Sequence, residues 1–492
     1  MYEVIILAQK SVKRNYIYNV AYQLLTIVTP LITTPYVSRK LGADGIGIYS
    51  FTASVVSYFT LVAALGTARY GQREISYSQN DIERRSSFFW RIEALSCFST
   101  FVCLVAYIVY ILFINENVDI YIVQAFSVIA IAADITWYFQ GLEEFGRIVK
   151  RNVFFKFVNI VFIFAVVRSK DDLLLYVLGL SLITLISNIS LWPFLKGGIK
   201  KPKADDLKFW KILPDVFMLF IPSAAISVYT VLDKTMIGVI TKSAFENGYY
   251  EQALKMSRMA MTIVTSLGVV MVPRIGHHYF EGEMEIVKEY MYKSYRFVWM
   301  LGVPLCLGLC GISSNIVPWF FGEGFDAVIP LLRVSSFLIL AIGMNNVTGV
   351  QYLVPTKRHN LFTITVIMGA LVNFTLNCFL INKYEAMGAA IASVVAESVI
   401  ALVQLFIVRD ELSGFAILRC GIKYFVSGSV MFIVLVELSK YMKATMFHSA
   451  VMILCGGIVY CAVLCLIRDD FFVSNCRSTL DVITNKLKIK RK

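Results

Sequence analysis

Charged side chains stand inside apolar stretches of this chain, where they could bind or move a charged ligand. Asp233 and Lys234 lie in one such stretch, and Lys255 and Arg258 lie in the next. A charge that faces lipid is strongly penalised, so these side chains must face other helices or a water-filled cavity. A guanidinium such as that of Arg258 can bind phosphate oxygens bidentately. The pattern predicts a polar, partly basic path between membrane-spanning helices.

The spacing of these charges places them relative to one another. Lys255 and Arg258 are three residues apart and share one face of the predicted helix. Asp233 lies near the end of the preceding span, at a depth that would allow an ion pair with Lys255 across the short turn. Such an ion pair is either a structural bridge that latches two helices, or a group that holds an anionic substrate or gates the outer mouth. Arg258 lies deeper, near the predicted midplane.

Two acidic residues are candidates for coupling transport to an ion. Glu397 is eleven residues into the span that begins at residue 386, which predicts a position near the membrane midplane. It could take up and release a proton, because loss of solvation favours the neutral carboxyl. Alternatively, it hydrogen-bonds to another helix. Asp134, in the inner third of the fourth predicted span, is the second candidate.

The composition indicates that the bilayer is the solvent of this chain. Of its 492 residues, 58% are hydrophobic and 16% are charged, which is far outside the range of soluble globular proteins. Windows of about twenty apolar residues predict fourteen membrane helices. They lie near residues 16–37, 46–66, 88–114, 120–139, 152–167, 173–195, 215–237, 248–272, 296–316, 329–351, 361–381, 386–407, 420–438 and 449–467. The predicted fold class is therefore an all-α polytopic membrane protein.

The two halves of the chain repeat one plan. Each half begins with two apolar spans separated by a polar turn, and the pair Gly47/Tyr49 aligns with Gly248/Tyr250. Internal symmetry of this kind is typical of secondary transporters, in which two bundles enclose a shared cavity. The predicted segments are an N-lobe of six helices (1–195), a cytoplasmic linker (196–212), a C-lobe of six helices (213–408), two further helices (409–470) and a basic cytoplasmic tail (471–492).

Basic residues are distributed unevenly between the two sets of connections, with 33 on one side and 8 on the other. The positive-inside rule therefore predicts a protein of the cell membrane with both termini in the cytoplasm. Most of the net charge of +13 follows from this topology, so membrane lipid is an expected partner and nucleic acid is not. No nucleotide-binding, metal-binding or catalytic-triad pattern is visible, so we expect neither a cofactor nor enzyme activity.

Five segments together resemble the polysaccharide repeat-unit flippases, the Wzx-like branch of the multidrug/oligosaccharidyl-lipid/polysaccharide (MOP) exporter superfamily. They are TPYVSRKLGADGIGIYSF (34–51), LGTARYGQREIS (65–76), YTVLDKTMIG (229–238), NGYYEQALKMSR (247–258) and VVAES (394–398). Similarity extends over nearly the whole chain. The resemblance implies two six-helix lobes that face each other in a V, two extra C-terminal helices, and export of a lipid-linked oligosaccharide by alternating access.

A lipid-linked sugar of the undecaprenyl-pyrophosphate type has an anionic head, a polar glycan and an apolar tail. Basic side chains would suit the head, and tyrosines would suit the glycan. Related peptidoglycan-precursor flippases carry arginines on the first, second and eighth helices; here only the eighth matches clearly, because Arg39 and Arg69 lie at helix ends. A polysaccharide polymerase and assembly proteins are further candidate partners. The predicted substrate-binding residues are Arg258, Lys255, Asp233, Tyr229, Tyr249, Tyr250, Arg39 and Arg69.

Two alternative functions are compatible with a polytopic membrane protein. A cation-coupled multidrug exporter of the same superfamily should have an acidic cavity, whereas Lys255 and Arg258 make this one basic. A membrane polysaccharide polymerase or glycosyltransferase needs a sizeable loop outside the membrane or an acid/base pair at the interface. Neither of these features is apparent in the sequence.

Overall fold

The computed structural model describes residues 2–475, and for residues 2–24, 27, 222, 223, 225 and 226 it describes the backbone alone. Within this range the chain is helical with short connections, which confirms the predicted all-α class. Residues 476–492, most of the predicted basic tail, lie outside the described residues. The α-helices of the described range are α1 (Tyr2–Ala64), α2 (Thr67–Tyr77), α3 (Ile82–Phe113), α4 (Val118–Ala132), α5 (Thr136–Gly141), α6 (Phe145–Val166), α7 (Leu173–Ile189), α8 (Leu213–Thr241), α9 (Ala244–Thr265), α10 (Leu267–Phe280), α11 (Met284–Phe321), α12 (Val328–Ser335), α13 (Leu338–Asn345), α14 (His359–Ile407), α15 (Gly414–Tyr441) and α16 (Met446–Leu466).

Each of the fourteen predicted spans falls on a helix or on consecutive helices. Ten helical stretches among the described residues are long and apolar enough to cross a membrane. Two of them, Val28–Tyr77 and His359–Ile407, are broken inside α1 and α14, at Gly42 and at Glu385. α6 and α8, with 22 and 29 residues, are about 33 and 44 Å long and can also cross a bilayer. The protein is therefore a multi-pass membrane protein, with close to the predicted number of spans.

α3 illustrates how local sequence and environment shape these helices. Asp81 caps its start, because Oδ1 accepts hydrogen bonds of 3.0 Å from the backbone N–H groups of Glu83 and Arg84. Along the helix, apolar side chains such as Phe101 are exposed, whereas small polar ones such as Ser96 are buried. α1 and α4 pack against α3. The exposed apolar face suits lipid, and the small residues allow close helix packing.

The polar segment 38–51, predicted as a turn, is helical except at one residue. The first arm of α1 runs to residue 41, Gly42 has a φ of 72°, and the second arm (43–64) begins immediately afterwards. Glycine adopts this left-handed φ at little cost. α8 and α9 are separated in a similar way by Lys242, with a φ of 54°. Most residues of both polar turns form the first turns of the following helix. Each turn of the repeat is therefore only a short helix break.

The chain forms two compact units, residues 1–248 and 249–492. The first unit has a buried cluster around Trp137 at α2, α3 and α5, and another around Tyr107 between α1, α3 and α4. The second unit packs around α11, whose buried residues include Tyr295. α8 belongs to the first unit, because it packs along α1 and α2. The predicted lobe boundaries at 195 and 213 follow the sequence repeat instead, and they stay a prediction.

Candidate functional site

Gly47 and Gly248 lie where the second arm of α1 crosses the start of α9. A Cβ on Gly47 would lie 1.6 Å from the carbonyl oxygen of Ala244, and a Cβ on Gly248 would lie 1.9 Å from that of Ala43. The contacts are reciprocal: each glycine lies against the residue four positions before the other glycine. The two sets of residues are 201 positions apart in the sequence. No side chain larger than hydrogen fits at either position without a shift of the backbone. The two helix starts therefore touch backbone to backbone.

Beyond this crossing, the second arm of α1 and α8 meet through hydroxyl groups. Thr235 Oγ1 lies 3.0 Å from Ser54 Oγ and 3.0 Å from Tyr58 Oη. Hydrogen bonds between side chains hold helices together in an apolar environment. We refer to Ser54, Tyr58 and Thr235 as the hydroxyl seam. Serine and threonine recur along both helices, but their spacing does not indicate which of them meet.

A cavity of about 330 Å³ adjoins the hydroxyl seam, between the same two helices. Ser57, Thr60 and Thr230 line it, and each donates its hydroxyl hydrogen to a backbone carbonyl of its own helix. Their oxygens keep acceptor capacity, which a ligand hydroxyl could use. The cavity falls within the volume range of small-molecule sites, at its lower end. Its other lining residues are Tyr58, Leu61, Ser227 and Val231.

Asp233 lies on α8, two residues before Thr235, and its side chain is buried. It is close enough to Tyr58 to interact with the phenol electrostatically. Its predicted partner, Lys255, belongs to the second unit, where Nζ lies 3.9 Å from Glu251 Oε1. Glu251 was not among the predicted site residues, although its i, i+4 spacing from Lys255 is typical of an ion pair. The Asp233–Lys255 ion pair stays a prediction.

Arg258 lies on α9 and its side chain is exposed. Its backbone carbonyl accepts a hydrogen bond of 2.8 Å from Thr262 Oγ1, but its guanidinium forms no hydrogen bond or ion pair with the residues that the structure describes. The surrounding stretch, Ala244–Phe280, is apolar enough to span a membrane. An unpaired guanidinium in such a stretch requires water or an anionic ligand. The role of Arg258 in binding a substrate stays a prediction.

The second unit contains a buried polar network that the sequence analysis missed. Asn377 Nδ2 donates to Asn373 Oδ1 at 3.1 Å, and Asn373 Nδ2 donates to Ser393 Oγ at 3.3 Å. Ser393 Oγ is also 3.4 Å from Tyr250 Oη. The two asparagines, four residues apart in an apolar span, are the sequence signal for this network. It ties the two arms of α14 to the start of α9.

Glu397 accepts a hydrogen bond from another helix of the second unit. Asn345 Nδ2 donates to the Glu397 carboxylate and, at 3.1 Å, to its backbone carbonyl. This contact matches the second of the two interpretations of Glu397. It is also compatible with the first, because an amide N–H can donate to a carboxylate or to the carbonyl oxygen of a protonated carboxyl. A coupling role for Glu397 stays a prediction.

Asp134 lies in a break between α4 and α5 rather than within a continuous fourth span. Its Oδ1 accepts a hydrogen bond of 2.9 Å from the backbone N–H of Thr136, the first residue of α5. Asp134 also interacts electrostatically with Glu93, a buried carboxylate of α3 that the sequence analysis did not name. A lone glutamate inside an apolar stretch was the available signal.

The remaining predicted site residues differ in their exposure. Tyr250 is 2% exposed, so a conformational change would be needed before a glycan could touch it. Tyr229 on α8 is half-buried, and the Tyr249 ring packs 6.4 Å from that of Phe325. Arg39 is exposed near the end of the first arm of α1, and Arg69 is exposed on α2.

Comparison with known proteins identifies the family. A family model described as "Polysaccharide biosynthesis protein" matches residues 12–278, more than half of the chain. The chain belongs to the polysaccharide biosynthesis protein family. One relative, named "Putative O-antigen transporter" in Escherichia coli (strain K12), is 24% identical over 414 residues, which cover 82% of this chain and 97% of the relative. A protein of the same name in Shigella dysenteriae is 23% identical over 388 residues, with coverages of 77% and 96%.

This member of the polysaccharide biosynthesis protein family shares its fold with solved transporters. The inward closed conformation of the lipid II flippase MurJ matches with a TM-score of 0.73 at 14% identity, over 93% of this chain and 99% of that one. The inward-facing conformation of a MATE multidrug resistance transporter of the MOP superfamily matches with a TM-score of 0.57 at 14% identity, over 84% and 96%. At these identities the matches establish the fold. The family match confirms the resemblance seen in the five sequence segments as far as the polysaccharide biosynthesis protein family.

Proposed function

We propose that this polysaccharide biosynthesis protein is a flippase that moves a lipid-linked oligosaccharide, of the undecaprenyl-pyrophosphate type, from the cytoplasmic to the outer leaflet. The family match carries this proposal, and the names of the two bacterial relatives support it. The product would serve the assembly of a surface polysaccharide such as capsule, O-antigen or teichoic acid. The protein would act without covalent chemistry, so we classify it as a transporter rather than an enzyme.

Arg258 is the proposed anchor for the diphosphate of the substrate. Its guanidinium is exposed and unpaired among the described residues, and charge-assisted hydrogen bonds to phosphate are among the strongest available in proteins. Lys255, positioned in this structure by Glu251, would complete the head-binding group. Asp233 stays a predicted substrate-binding residue. The hydroxyl-lined cavity and Tyr229 would contact the glycan. Tyr249 and Tyr250 would also contact the glycan after a conformational change releases them from their present packing.

Alternating access requires a contact that opens and closes. The Gly47–Gly248 crossing is a candidate, because it joins helix starts on the side that the distribution of basic residues predicts to be outside. Direct backbone contact makes a tight closure, and few side chains need to rearrange when it separates. In our proposal the crossing is the closed outer gate, and it separates when the substrate leaves towards the outer leaflet.

Coupling to an ion is assigned to Glu397, with Asp134 as the second candidate. A proton on Glu397 would remove its charge and weaken, without breaking, the hydrogen bond from Asn345 that joins α13 and α14. Asp134 would act from the helix break between α4 and α5, where its neighbour is Glu93. Broken helices are common places for coupling-ion sites in transporters.

Purified protein in vesicles with a fluorescent lipid-linked sugar separates this proposal from its rivals. A flippase moves the sugar between leaflets without changing it. A polymerase or glycosyltransferase changes its mass, and a multidrug exporter moves cationic dyes but leaves the lipid-linked sugar in place. Movement of the unmodified sugar is the expected result, and either of the other two outcomes contradicts the proposal.

A further inference from the structure

α2 presents a polar face immediately after the second arm of α1. Leu65 and Gly66 both have positive φ, 43° and 78°, and this left-handed link gives α2 a direction of its own. The opposite face of α2 is buried and includes Tyr70 and Ile75. The polar side chains follow an i, i+3, i+4, i+7 spacing, which places them on one side of the helix. They are Arg69, Gln72, Arg73 and Ser76.

Two glycines bring α2 and α5 into close contact. A Cβ on Gly71 would lie 2.4 Å from Trp137 Cε3, and a Cβ on Gly141 would lie 2.7 Å from Ile75 Cβ. This packing sets the polar face of α2 beside the end of α5. A cavity of about 390 Å³ lies there. Besides the four side chains of α2, it is lined by Gln140, Glu143 and Phe145.

The two arginines of this cavity are held in different ways. Arg73 Nε and Nη2 lie 3.0 and 2.9 Å from Glu74 Oε1, and its guanidinium lies 5.1 Å from the centre of the Tyr70 ring. Arg69 is exposed and forms no hydrogen bond or ion pair with the described part of the chain. Arg73 is therefore fixed in place, whereas the donors of Arg69 are available to a ligand.

The distribution of polar groups in the cavity matches a phosphorylated sugar. The guanidinium groups of Arg69 and Arg73 suit phosphate oxygens. On the other side, the carboxylate of Glu143 is a pure acceptor, and the amide of Gln140 both donates and accepts, which suits sugar hydroxyls. The exposed ring of Phe145 provides an apolar surface at the edge. A lipid head that carries only a phosphate offers no hydroxyl to the Glu143 carboxylate, which would repel it.

We propose that this cavity binds the sugar diphosphate head of the lipid-linked substrate, with the diphosphate at Arg69 and Arg73 and the first sugar at Glu143 and Gln140. This inference rests on the proposed flippase function. It adds a second head-binding site, on the side of the membrane that is predicted to be cytoplasmic, where the substrate would first meet the protein. Arg258, the anchor proposed above, belongs to the other unit.

Photo-crosslinking can locate binding at this cavity directly. The probes are photoactivatable farnesyl diphosphate and the same molecule carrying one glucose, added to detergent-purified full-length protein and mapped by peptide mass spectrometry. We expect labelling of peptides that contain residues 67–77 or 136–145. Arg69→Gln should weaken labelling by both probes about tenfold, the effect of losing one charge-assisted contact. Glu143→Gln should weaken labelling by the glucosylated probe alone.

Matched variants and competitors make the outcomes distinct. Arg84→Gln removes an exposed charge from nearby α3 without touching the cavity, and it should leave labelling unchanged. Arg73→Lys keeps the charge but loses the planar fork, and should give an intermediate loss. Inorganic pyrophosphate should compete weakly and phosphatidylglycerol should not. Equal losses in Arg69→Gln and Arg84→Gln, no loss in Arg69→Gln, or strong competition by phosphatidylglycerol would overturn the inference. None of these results bears on the proposed flippase function, because flipping of the lipid-linked sugar is measured separately in vesicles.

Discussion

Gly47 and Gly248 occupy equivalent places in the two halves of the chain, and each lies against the backbone at the start of the other's helix. The relationship links the sequence repeat to the proposed mechanism. Two helix starts that meet through glycine can close tightly, because no side chain separates them. The same property makes the crossing sensitive to a single added methyl group.

Gly248→Ala should weaken this crossing and hold it open. The added Cβ would lie 1.9 Å from the carbonyl oxygen of Ala43, so the backbones must move apart. A cysteine introduced at Ser57 should then react faster with a membrane-impermeant reagent added from outside. Gly457→Ala is the control, because no atom lies within 4 Å of its Cβ position. Equal reaction rates in the two variants would contradict a gate at this crossing.

Thr235→Val should loosen the hydroxyl seam. It removes two hydrogen bonds, to Ser54 and Tyr58, while keeping the shape of the side chain. Interhelical hydrogen bonds in membranes contribute about 0.6 kcal/mol each on average, so we expect a loss of about 1 kcal/mol in stability. Thermal unfolding in detergent, followed by size-exclusion profile, measures this loss. Thr363→Val, at a half-buried threonine that bonds only within its own helix among the described residues, should unfold like the wild type. A Thr235→Val variant that does the same would count against the seam.

The ion pair between Arg358 and Glu411 should make the second unit sensitive to acid. Burial opposes ionisation of Glu411, but hydrogen bonds from Arg358 and Tyr352 outweigh it and hold the pKa of Glu411 below its ordinary value. A carboxyl with a lowered pKa stabilises the fold above its unfolded pKa, and this contribution is lost as the pH falls through the folded pKa. We therefore expect the stabilisation to be complete at neutral pH and to decline as the pH falls below about 4.3, the ordinary pKa of a glutamate.

Glu411→Gln tests this dependence. At pH 7 the variant should be less stable than the wild type by about 1–2 kcal/mol, because a partly exposed charge-assisted pair is lost. The difference should shrink as the pH is lowered through the acid range. Melting temperatures at several pH values measure it, with Glu116→Gln, at an exposed connection, as the control. A constant difference at all pH values would show that the charge of Glu411 is not responsible.

Glu397→Gln separates coupling from structure. The variant keeps an oxygen that can accept the hydrogen bond from Asn345, so the contact between α13 and α14 should survive. If Glu397 carries a coupling proton, accumulation driven by a pH gradient should be lost while exchange without a gradient continues. Transport assays in vesicles with and without the gradient measure both rates. Normal gradient-driven accumulation in Glu397→Gln would remove Glu397 from the mechanism.

The helices could be predicted from the sequence because their length and apolar character are local properties. Membrane-spanning windows identified the spans of α3 and α16, and the break at Glu385 fell between two predicted spans. Averaging over such windows also hid short features. It placed Asp134 inside a span instead of at the break between α4 and α5, and it left α2 as part of the connection that follows the span 46–66.

The contacts of the site were harder to predict, because they depend on which helix faces meet. Nothing local to Thr235 indicates that Ser54 and Tyr58 lie opposite it, 181 and 177 residues away. The charges were easier to identify, since a residue such as Arg258 is conspicuous in an apolar stretch wherever its neighbours are. Glu251 shows the limit of that reasoning. It lies one turn before Lys255 and pairs with it, but it was not predicted as the partner of Lys255.

The flipping rate of a fluorescent lipid-linked oligosaccharide, compared between wild type and Arg258→Ala in vesicles, tests the central claim most directly. A membrane-impermeant reductant quenches only the label in the outer leaflet, so the extent of quenching reports movement between leaflets. We predict complete quenching with the wild type. Arg258→Ala should bind the lipid-linked oligosaccharide about ten- to a hundredfold more weakly, because one charge-assisted contact with phosphate is lost, and it should therefore flip it more slowly. The affinity of Arg258→Lys should lie between those of the wild type and Arg258→Ala. Quenching of only half of the label by folded wild-type protein, as in empty vesicles, would contradict the flippase assignment.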